Sequence, residues 1–325
     1  MNYKKIMTGL FAVVAMVAVA ADPVVSDVTA KQRYPWNGLV DITCKVTGIS
    51  GTDPWKFSVA AVMPDTGEAR KVSSFWVVKN GVNSTDKKVQ ANGTYKLLWD
   101  AKAELGQVTY DNMVMRVTVV ELHDKVQLWE GGPYWATTNI GAENPEDYGY
   151  YFWWGDTVGY KRENNAWVAT DGSSSDFSFS DSNAPTMCKD DAILQSEGWI
   201  TAGGVLAPEH DAAHVHWGGE WRMPTQEELA DLNSNCDWTW TTQNGVNGYI
   251  VRGRGSYDSA SIFLPVAGVS SLDNFGSDGY YWSSAPNSDY SHLAYGLYLY
   301  SSDHFMFNFS RSGGQSVRPV QGFTE

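Results

Sequence analysis

The chain has 325 residues, in which 37 Asp and Glu outnumber 23 Lys and Arg, giving a net charge of −14. This charge argues against sequence-independent nucleic-acid binding, which needs a cationic face, and against adsorption to anionic lipid. With 43% hydrophobic and 14% aromatic residues, the chain can bury a substantial core, and the composition excludes extensive disorder.

The N-terminus is typical of a secretory signal peptide, predicted at residues 1–20. Lys4 and Lys5 precede an apolar stretch that closes with small residues at 18–20. The stretch is short for a transmembrane anchor. We therefore expect a secreted or cell-surface protein with no membrane insertion after signal cleavage.

Charge and tryptophan content divide the remaining chain into two parts. Residues 21–122 hold 12 basic and 11 acidic side chains, whereas residues 123–325 hold 9 basic and 26 acidic ones. The second part also carries 11 of the 15 Trp. The change predicts a domain boundary near Leu122–Val126.

Short β-rich runs separated by turn signals fill the first part. The turn signals are Asp65-Thr66-Gly67, Lys79-Asn80-Gly81 and Ala91-Asn92-Gly93. This spacing predicts an all-β immunoglobulin-like sandwich over 21–122, which we interpret as a spacer. The predicted strands are 24–31, 38–47, 55–63, 71–78, 94–99 and 113–121.

Two helices are predicted in the second part. Residues 208–214 place Pro and acidic side chains where a first helical turn favours them. Residues 223–232 contain a capping box, in which Thr225 accepts the amide of Glu228 and the Glu228 side chain reaches back to the Thr225 amide. Leu229 and Leu232 then face the core at helical spacing.

Seven ordered sequence blocks in the second part resemble a known family. They are YWATTNIGA (134–142), DYGYYFWWGDT (147–157), WGGEWRMPT (217–225), WTWTT (238–242), IFLPVAG (262–268), YWSS (281–284) and SVRPV (316–320). Together they resemble the Fibrobacter succinogenes major paralogous domain, which is similar to sulfatase-modifying-factor-related, C-type lectin-like domains. The resemblance implies an α+β C-type lectin-like domain over 123–325. Arg222 and Arg318, rare cations there, are expected to form ion pairs or clamp carbonyls, with a ligand role as the alternative.

The cysteines argue against the enzymatic activity of some members of that group. Formylglycine-generating relatives oxidise a substrate cysteine with reactive cysteines and copper late in their domain, whereas no cysteine follows Cys236 here. No G-x-S-x-G nucleophile elbow occurs either, so we expect no enzyme. Export permits disulfides, and we predict a bridge between Cys188 and Cys236. Cys44 lies in an apolar run and is expected to be a small buried side chain.

No cofactor is expected, although two metal alternatives stay open. His210, His214 and His216 stand with Glu209 and Asp211 in the one metal-like cluster of the sequence, and the spacing of His210 and His214 suits zinc on a helix face. Surface histidines are the competing interpretation. Scattered acids could hold calcium, although no ligand string has calcium-loop spacing. These acids are Asp273 and Asp278.

Residues 285–313 are rich in Tyr, Ser, Asp and Phe and contain no Lys, Glu, Gln or Trp. Tyr and Ser are typical of adaptable binding surfaces. The stretch also resembles the variable end of diversity-generating retroelement proteins, in which randomised Asn codons become Tyr, Ser, Asp, His, Phe, Gly or Leu. The residues that fit this set are the predicted ligand contacts Tyr290, His292, Tyr295, Gly296, Tyr300, Asp303, Phe305, Phe307, Phe309 and Ser310. The predicted fixed residues between them are Ala294, Leu297, Leu299, Met306 and Arg311.

A simpler interpretation of the same stretch is an aromatic sheet in which Phe305, Phe307 and Phe309 alternate onto one face. The two interpretations are compatible, because strands can present variable side chains. The sequence thus predicts an exported protein that binds a protein or glycan on another cell, phage or host surface. The alternatives are a fixed carbohydrate or cell-wall binding module and an oxidase of the formylglycine-generating type.

Overall fold

A computed structural model describes residues 23–34, 37–49, 55–63, 66–106, 113–164, 166–173, 179–270 and 274–322. The predicted signal peptide lies outside these residues. The described chain is mostly β-sheet with a few short helices, and the β-rich character expected from the sequence is confirmed. None of its helices has the length and apolar composition needed to cross a membrane.

Backbone contacts separate the described chain into two compact units. One contains the described residues through Val120 except Trp55, and the other contains Trp55 and the described residues from Glu121 onward.

The first unit is built from two sheets. The larger has the strand order β1-β2-β8-β5-β6, and the smaller has the order β4-β3-β7, with β9 also pairing with β3. The bounds are β1 Val24–Gln32, β2 Leu39–Thr47, β3 Trp55–Val62, β4 Ala69–Val72, β5 Phe75–Lys79, β6 Val82–Ser84, β7 Lys88–Val89, β8 Gly93–Asp100, α1 Ala101–Leu105 and β9 Val114–Glu121.

Alternation of buried and exposed side chains explains these strands. On β2, Ile42, Cys44 and Val46 are fully buried while the residues between them are not, which is the pattern of a strand with one face in a core. The expectation of a buried Cys44 is confirmed. The single run predicted at 71–78 is two strands, because the Glu104 carboxylate takes the backbone amides of Ser73 and Ser74 between them.

The second unit combines short sheets with three helices in its described residues. Its sheets have the orders β10-β11-β20, β12-β13, β14-β15-β16 and β17-β18-β19. The bounds are β10 Lys125–Gln127, β11 Tyr134–Ala136, β12 Tyr160–Glu163, β13 Ala166–Ala169, α2 Asp191–Ser196, α3 Ala212–Trp217, α4 Gln226–Asn235, β14 Asp237–Gln243, β15 Val246–Arg252, β16 Ser261–Pro265, β17 Asp278–Pro286, β18 Leu293–Tyr300, β19 Asp303–Ser310 and β20 Val320–Gln321.

Local sequence signals set both predicted helices. The capping box of α4 is present, since Thr225 Oγ1 accepts the Glu228 amide at 3.1 Å and Glu228 Oε2 accepts the Thr225 amide at 2.8 Å. Leu229 and Leu232 are buried as expected. The helix predicted at 208–214 is instead a 3-10 turn at Pro208–His210 followed by α3, because the Asp211 side chain caps a new helix.

The two rare arginines have the structural roles predicted for them. Arg222 makes a two-pronged ion pair with Glu228, at 2.7 and 2.6 Å. Arg318 is fully buried and donates to the Ala136 and Phe263 carbonyls at 3.0 and 2.9 Å. Burial lowers the pKa of Arg318 to about 10, which leaves the guanidinium charged at neutral pH.

Candidate functional site

The antiparallel sheet of β17, β18 and β19 carries the predicted binding residues, and its register fixes which of them share a face. Alternate side chains of a strand point to opposite faces. One face, which we call the aromatic face, carries rows taken in the order β17, β18, β19. The rows are Asp278–Tyr300–Asp303, Tyr280–Tyr298–Phe305 and Trp282–Gly296–Phe307, followed by Ala294 beside Phe309.

The opposite face of this sheet packs against α4. Leu297 and Leu299 are fully buried in one core cluster with Leu229 and Leu232 of the helix. His304 stacks on a tryptophan of β14, with 4.2 Å between ring centroids. This face is therefore part of the core, and the aromatic face is the one that a ligand can reach.

Tyr298 is the centre of the aromatic face. Its ring centroid lies 5.0 Å from that of Tyr280, 5.4 Å from Tyr300 and 5.5 Å from Phe305. These are ordinary distances for interacting aromatic pairs. The row position decides accessibility, since Tyr280 is 6% exposed and Phe307 is 52% exposed.

The ten predicted contact residues do not all share one environment. Tyr290, His292, Asp303 and Phe307 are exposed, and Tyr290 is the most exposed hydrophobic residue of this stretch at 57%. Six of the ten lie on the aromatic face, Tyr295 and Ser310 fall on the opposite parity, and two lie in the β17–β18 loop. The half-buried residues are Tyr295, Tyr300, Phe305, Phe309 and Ser310.

Gly296 does not meet the expectation that it forms part of an exposed contact surface. It is buried, and a Cβ atom there would lie 2.7 Å from the Tyr281 carbonyl oxygen and 3.2 Å from the Phe309 ring. The glycine is needed because the backbone of β17 and the Phe309 ring occupy the space of a side chain. Its contribution is to let Phe309 lie flat over the central strand.

The residues predicted to be fixed are buried almost without exception. Ala294, Leu297, Leu299 and Arg311 are fully buried, whereas Met306 is half-buried. Arg311 donates from Nε to the Leu293 carbonyl at 2.9 Å and from Nη1 to the carbonyls of Thr186 and Lys189 at 3.0 and 2.8 Å. It therefore ties the end of β19 to two other parts of the unit.

The sequence analysis missed Tyr280, Trp282 and Tyr298. Tyr298 Oη donates to Asp278 Oδ1 at 3.1 Å, and Tyr280 Oη accepts from Asn274 Nδ2 at 2.8 Å. Burial raises the pKa of Tyr298 well above its ordinary value, so its hydroxyl stays neutral and remains a donor. The available signal for Tyr298 was its parity, since it lies two residues from Tyr300 on the same strand.

The loop between β17 and β18 is held by the buried side chain of Asn287. Asn287 Oδ1 accepts the amides of Asp289 and Tyr290, both at 3.0 Å, and the Asn287 amide donates to the Leu293 carbonyl at 3.0 Å. The exposed rings of Tyr290 and His292 thus project from a loop with its own internal hydrogen bonds.

The three histidines of the metal-like cluster point to different places. His210 stacks on Trp199 with 3.9 Å between centroids, and His216 Nε2 lies 2.8 Å from the Thr157 carbonyl oxygen. His214 lines a cavity of about 290 Å³. Within the described residues, no three His, Cys, Asp or Glu side chains gather as a metal ion requires.

The acids of that region and of the calcium alternative are engaged in hydrogen bonds. The buried Asp211 carboxylate accepts the amides of Ala213, His214 and Met223 at 2.8 to 3.0 Å. Asp278 accepts from Asn274 and Tyr298. Asp273, the other calcium candidate, lies outside the described residues.

The predicted disulfide is not formed, and both of its cysteines are free thiols. Cys236 ends α4 and is buried in the core, where desolvation raises its pKa to about 11. Cys188 is exposed, in a left-handed backbone conformation with φ 59°. Shared position in one half of the chain was the basis of the prediction, and it carries no information about where each side chain points.

No protein family, curated protein or solved structure matches this chain.

Proposed function

We propose that the chain is an exported recognition protein that binds a ligand through the aromatic face and the adjoining loop. One observation carries this proposal. The sheet buries one face on α4, while the other holds Tyr300, Asp303, Phe305 and Phe307 at least partly open to solvent. Large rigid aromatic side chains give much contact area at small entropic cost, which favours binding.

The second unit supports a C-type lectin-like domain as the frame for this surface, in agreement with the sequence resemblance. Its short sheets, short helices and long connections fit that class. The first unit, with a five-stranded sheet beside a smaller one, supports an immunoglobulin-like spacer. Fold alone does not define a ligand, so the function rests on the aromatic face.

Diversification of this surface is the second part of the proposal. Four of the five residues predicted to be fixed are fully buried, whereas nine of the ten predicted to vary are exposed or half-buried. Substitutions at such positions change contacts without removing core packing. A near-copy of the coding region for 285–313, beside a reverse-transcriptase gene, is expected in the gene's neighbourhood, and an isolated gene without either contradicts diversification.

Ligand selection tests the binding site itself. A displayed peptide library and a glycan array are probed in parallel with the full chain and with a Tyr300→Ser/Phe307→Ser double variant. Ligands recovered by the parent chain are expected to lose binding to the double variant and to keep binding to Asp231→Asn, which alters an exposed residue of α4. Ligands indifferent to the double variant would locate recognition elsewhere. Glycans bound equally by natural variants of this stretch would favour a fixed lectin.

A further inference from the structure

One end of the aromatic face is acidic. Asp278 and Asp303 flank Tyr300 in the same row, and Asp303, Phe305 and Phe307 follow one another on this face of β19 at two-residue spacing. Two residues of a strand span about 7 Å, so the Asp303 carboxylate lies within side-chain reach of the neighbouring ring. The aromatic surface and the negative charge therefore form one continuous patch.

The charge of Asp303 is not compensated by a cation. Its Oδ1 accepts only the backbone amide of His304, at 2.8 Å, and no cationic side chain in the described part of the chain pairs with it. No lysine or arginine occurs between Asp278 and Ser310. The arginines that follow Lys189 are engaged elsewhere. They are Arg222 with Glu228, Arg252 with the Asp258 carbonyl, Arg254 with Asp237, and the buried Arg311 and Arg318.

An exposed aromatic ring beside an unpaired carboxylate is suited to a cation. The face of the ring attracts the positive charge, while the carboxylate accepts its N–H groups. A guanidinium fits better than an ammonium, because it is planar and stacks on rings while donating in the plane to a carboxylate. The net charge of −17 on residues 123–325 adds long-range attraction for the same class of partner.

We infer that the ligand of the aromatic face is a basic polypeptide segment that stacks an arginine guanidinium on Phe305 or Phe307 and pairs it with Asp303. This inference rests on the proposed function and adds the chemical class of the partner.

The test uses the full chain and an acetylated, amidated arginine-rich peptide with Gly-Ser spacers. The matched probe replaces every arginine by citrulline, which keeps the shape and removes the charge. We expect the arginine peptide to bind by fluorescence anisotropy, with affinity that falls as salt is added, and the citrulline peptide to bind at least about tenfold more weakly. Absence of measurable binding to the arginine peptide overturns the inference.

Three variants locate the binding. Asp303→Asn and Phe307→Leu are each expected to weaken the arginine peptide by about three- to tenfold. Asp231→Asn removes the same charge from an exposed position of α4, behind the opposite face, and is expected to change affinity by less than about twofold. Equal losses for Asp303→Asn and Asp231→Asn mean general charge attraction and overturn the inference.

The failure of the inference and that of the proposed function are distinguishable. A neutral peptide or a glycan that needs Phe307 but ignores Asp303→Asn contradicts a cationic ligand and leaves the binding face established. Selected ligands that ignore both variants contradict the binding face itself. Since both side chains are exposed, neither substitution threatens the fold, and an unchanged thermal transition verifies this for each variant.

Discussion

Substituting Gly296 by alanine tests whether the frame under the aromatic face is rigid. A Cβ atom would lie 2.7 Å from the Tyr281 carbonyl oxygen, whereas a comfortable carbon–oxygen contact is about 3.3–3.6 Å. The Tyr281 backbone cannot retreat easily, because that residue is 1% exposed and its hydroxyl donates to the Pro265 carbonyl at 2.7 Å. The added methyl group must therefore displace a strand or the Phe309 ring.

The expected cost combines two opposing effects. Overpacking of a buried site costs about 1–3 kcal/mol. Replacing glycine by alanine restricts the unfolded chain and returns about 0.4–1 kcal/mol where the native backbone allows it. We expect a net destabilisation of about 1–2 kcal/mol, which corresponds to a Tm lower by about 2–8 °C for a unit of this size.

Tryptophan fluorescence during urea or thermal unfolding is the assay, because 11 of the 15 Trp lie in residues 123–325. Gly203→Ala is the matched control, since its Cβ would meet nothing closer than 3.5 Å and its backbone is not left-handed. The control is expected to be neutral or slightly stabilising. If Gly296→Ala is as stable as Gly203→Ala, the sheet is not held as tightly as the contacts indicate.

Three further outcomes follow from local features. Thr225→Ala removes the cap of α4 and is expected to lower the free energy of unfolding by about 1 kcal/mol in urea denaturation, so an unchanged midpoint contradicts the capping role. A thiol reagent should modify Cys188 alone in the native chain and the two buried thiols only after unfolding, and more than one modified thiol per native chain contradicts their burial. Burial lowers the pKa of His216 below its ordinary 6.5, so the unfolded chain binds more protons and stability is lost as the pH falls through about 6.5. Urea midpoints at pH 7.5 and 5.5 measure this loss. His216→Phe should reduce the loss, whereas substitution of the exposed His292 should not, and equal pH dependence in both variants refutes the assignment.

Features set by neighbouring residues were predictable from the sequence. Alternation on β2 and the capping box at Thr225 are local, and the structure has them where the pattern predicts them. The alternation of Phe305, Phe307 and Phe309 onto one face is likewise confirmed. In each case the period of the strand or helix determines the outcome without reference to distant parts of the chain.

Features that depend on tertiary packing were not predictable. The burial of Gly296 follows from the approach of the Tyr281 backbone, and the separation of Cys188 from Cys236 follows from the path of the loops around α2. The membership of Tyr280 in the aromatic face requires the register of β17 against β18. None of these relations leaves a trace in the spacing of residues along one strand.

Tolerance to substitution should rise along the aromatic face, from Phe309 to Asp303. Phe309 packs against the core cluster that contains Trp282, so removing its ring resembles a core truncation, which costs about 3–5 kcal/mol when burial is complete. Phe307 is 52% exposed, and its loss belongs with surface changes of about 0.5 kcal/mol. Phe309→Ser should therefore destabilise the second unit far more than Phe307→Ser in tryptophan-monitored urea unfolding. Equal effects would mean that the frame depends on both rings, and a surface built that way could not change its specificity without losing its fold.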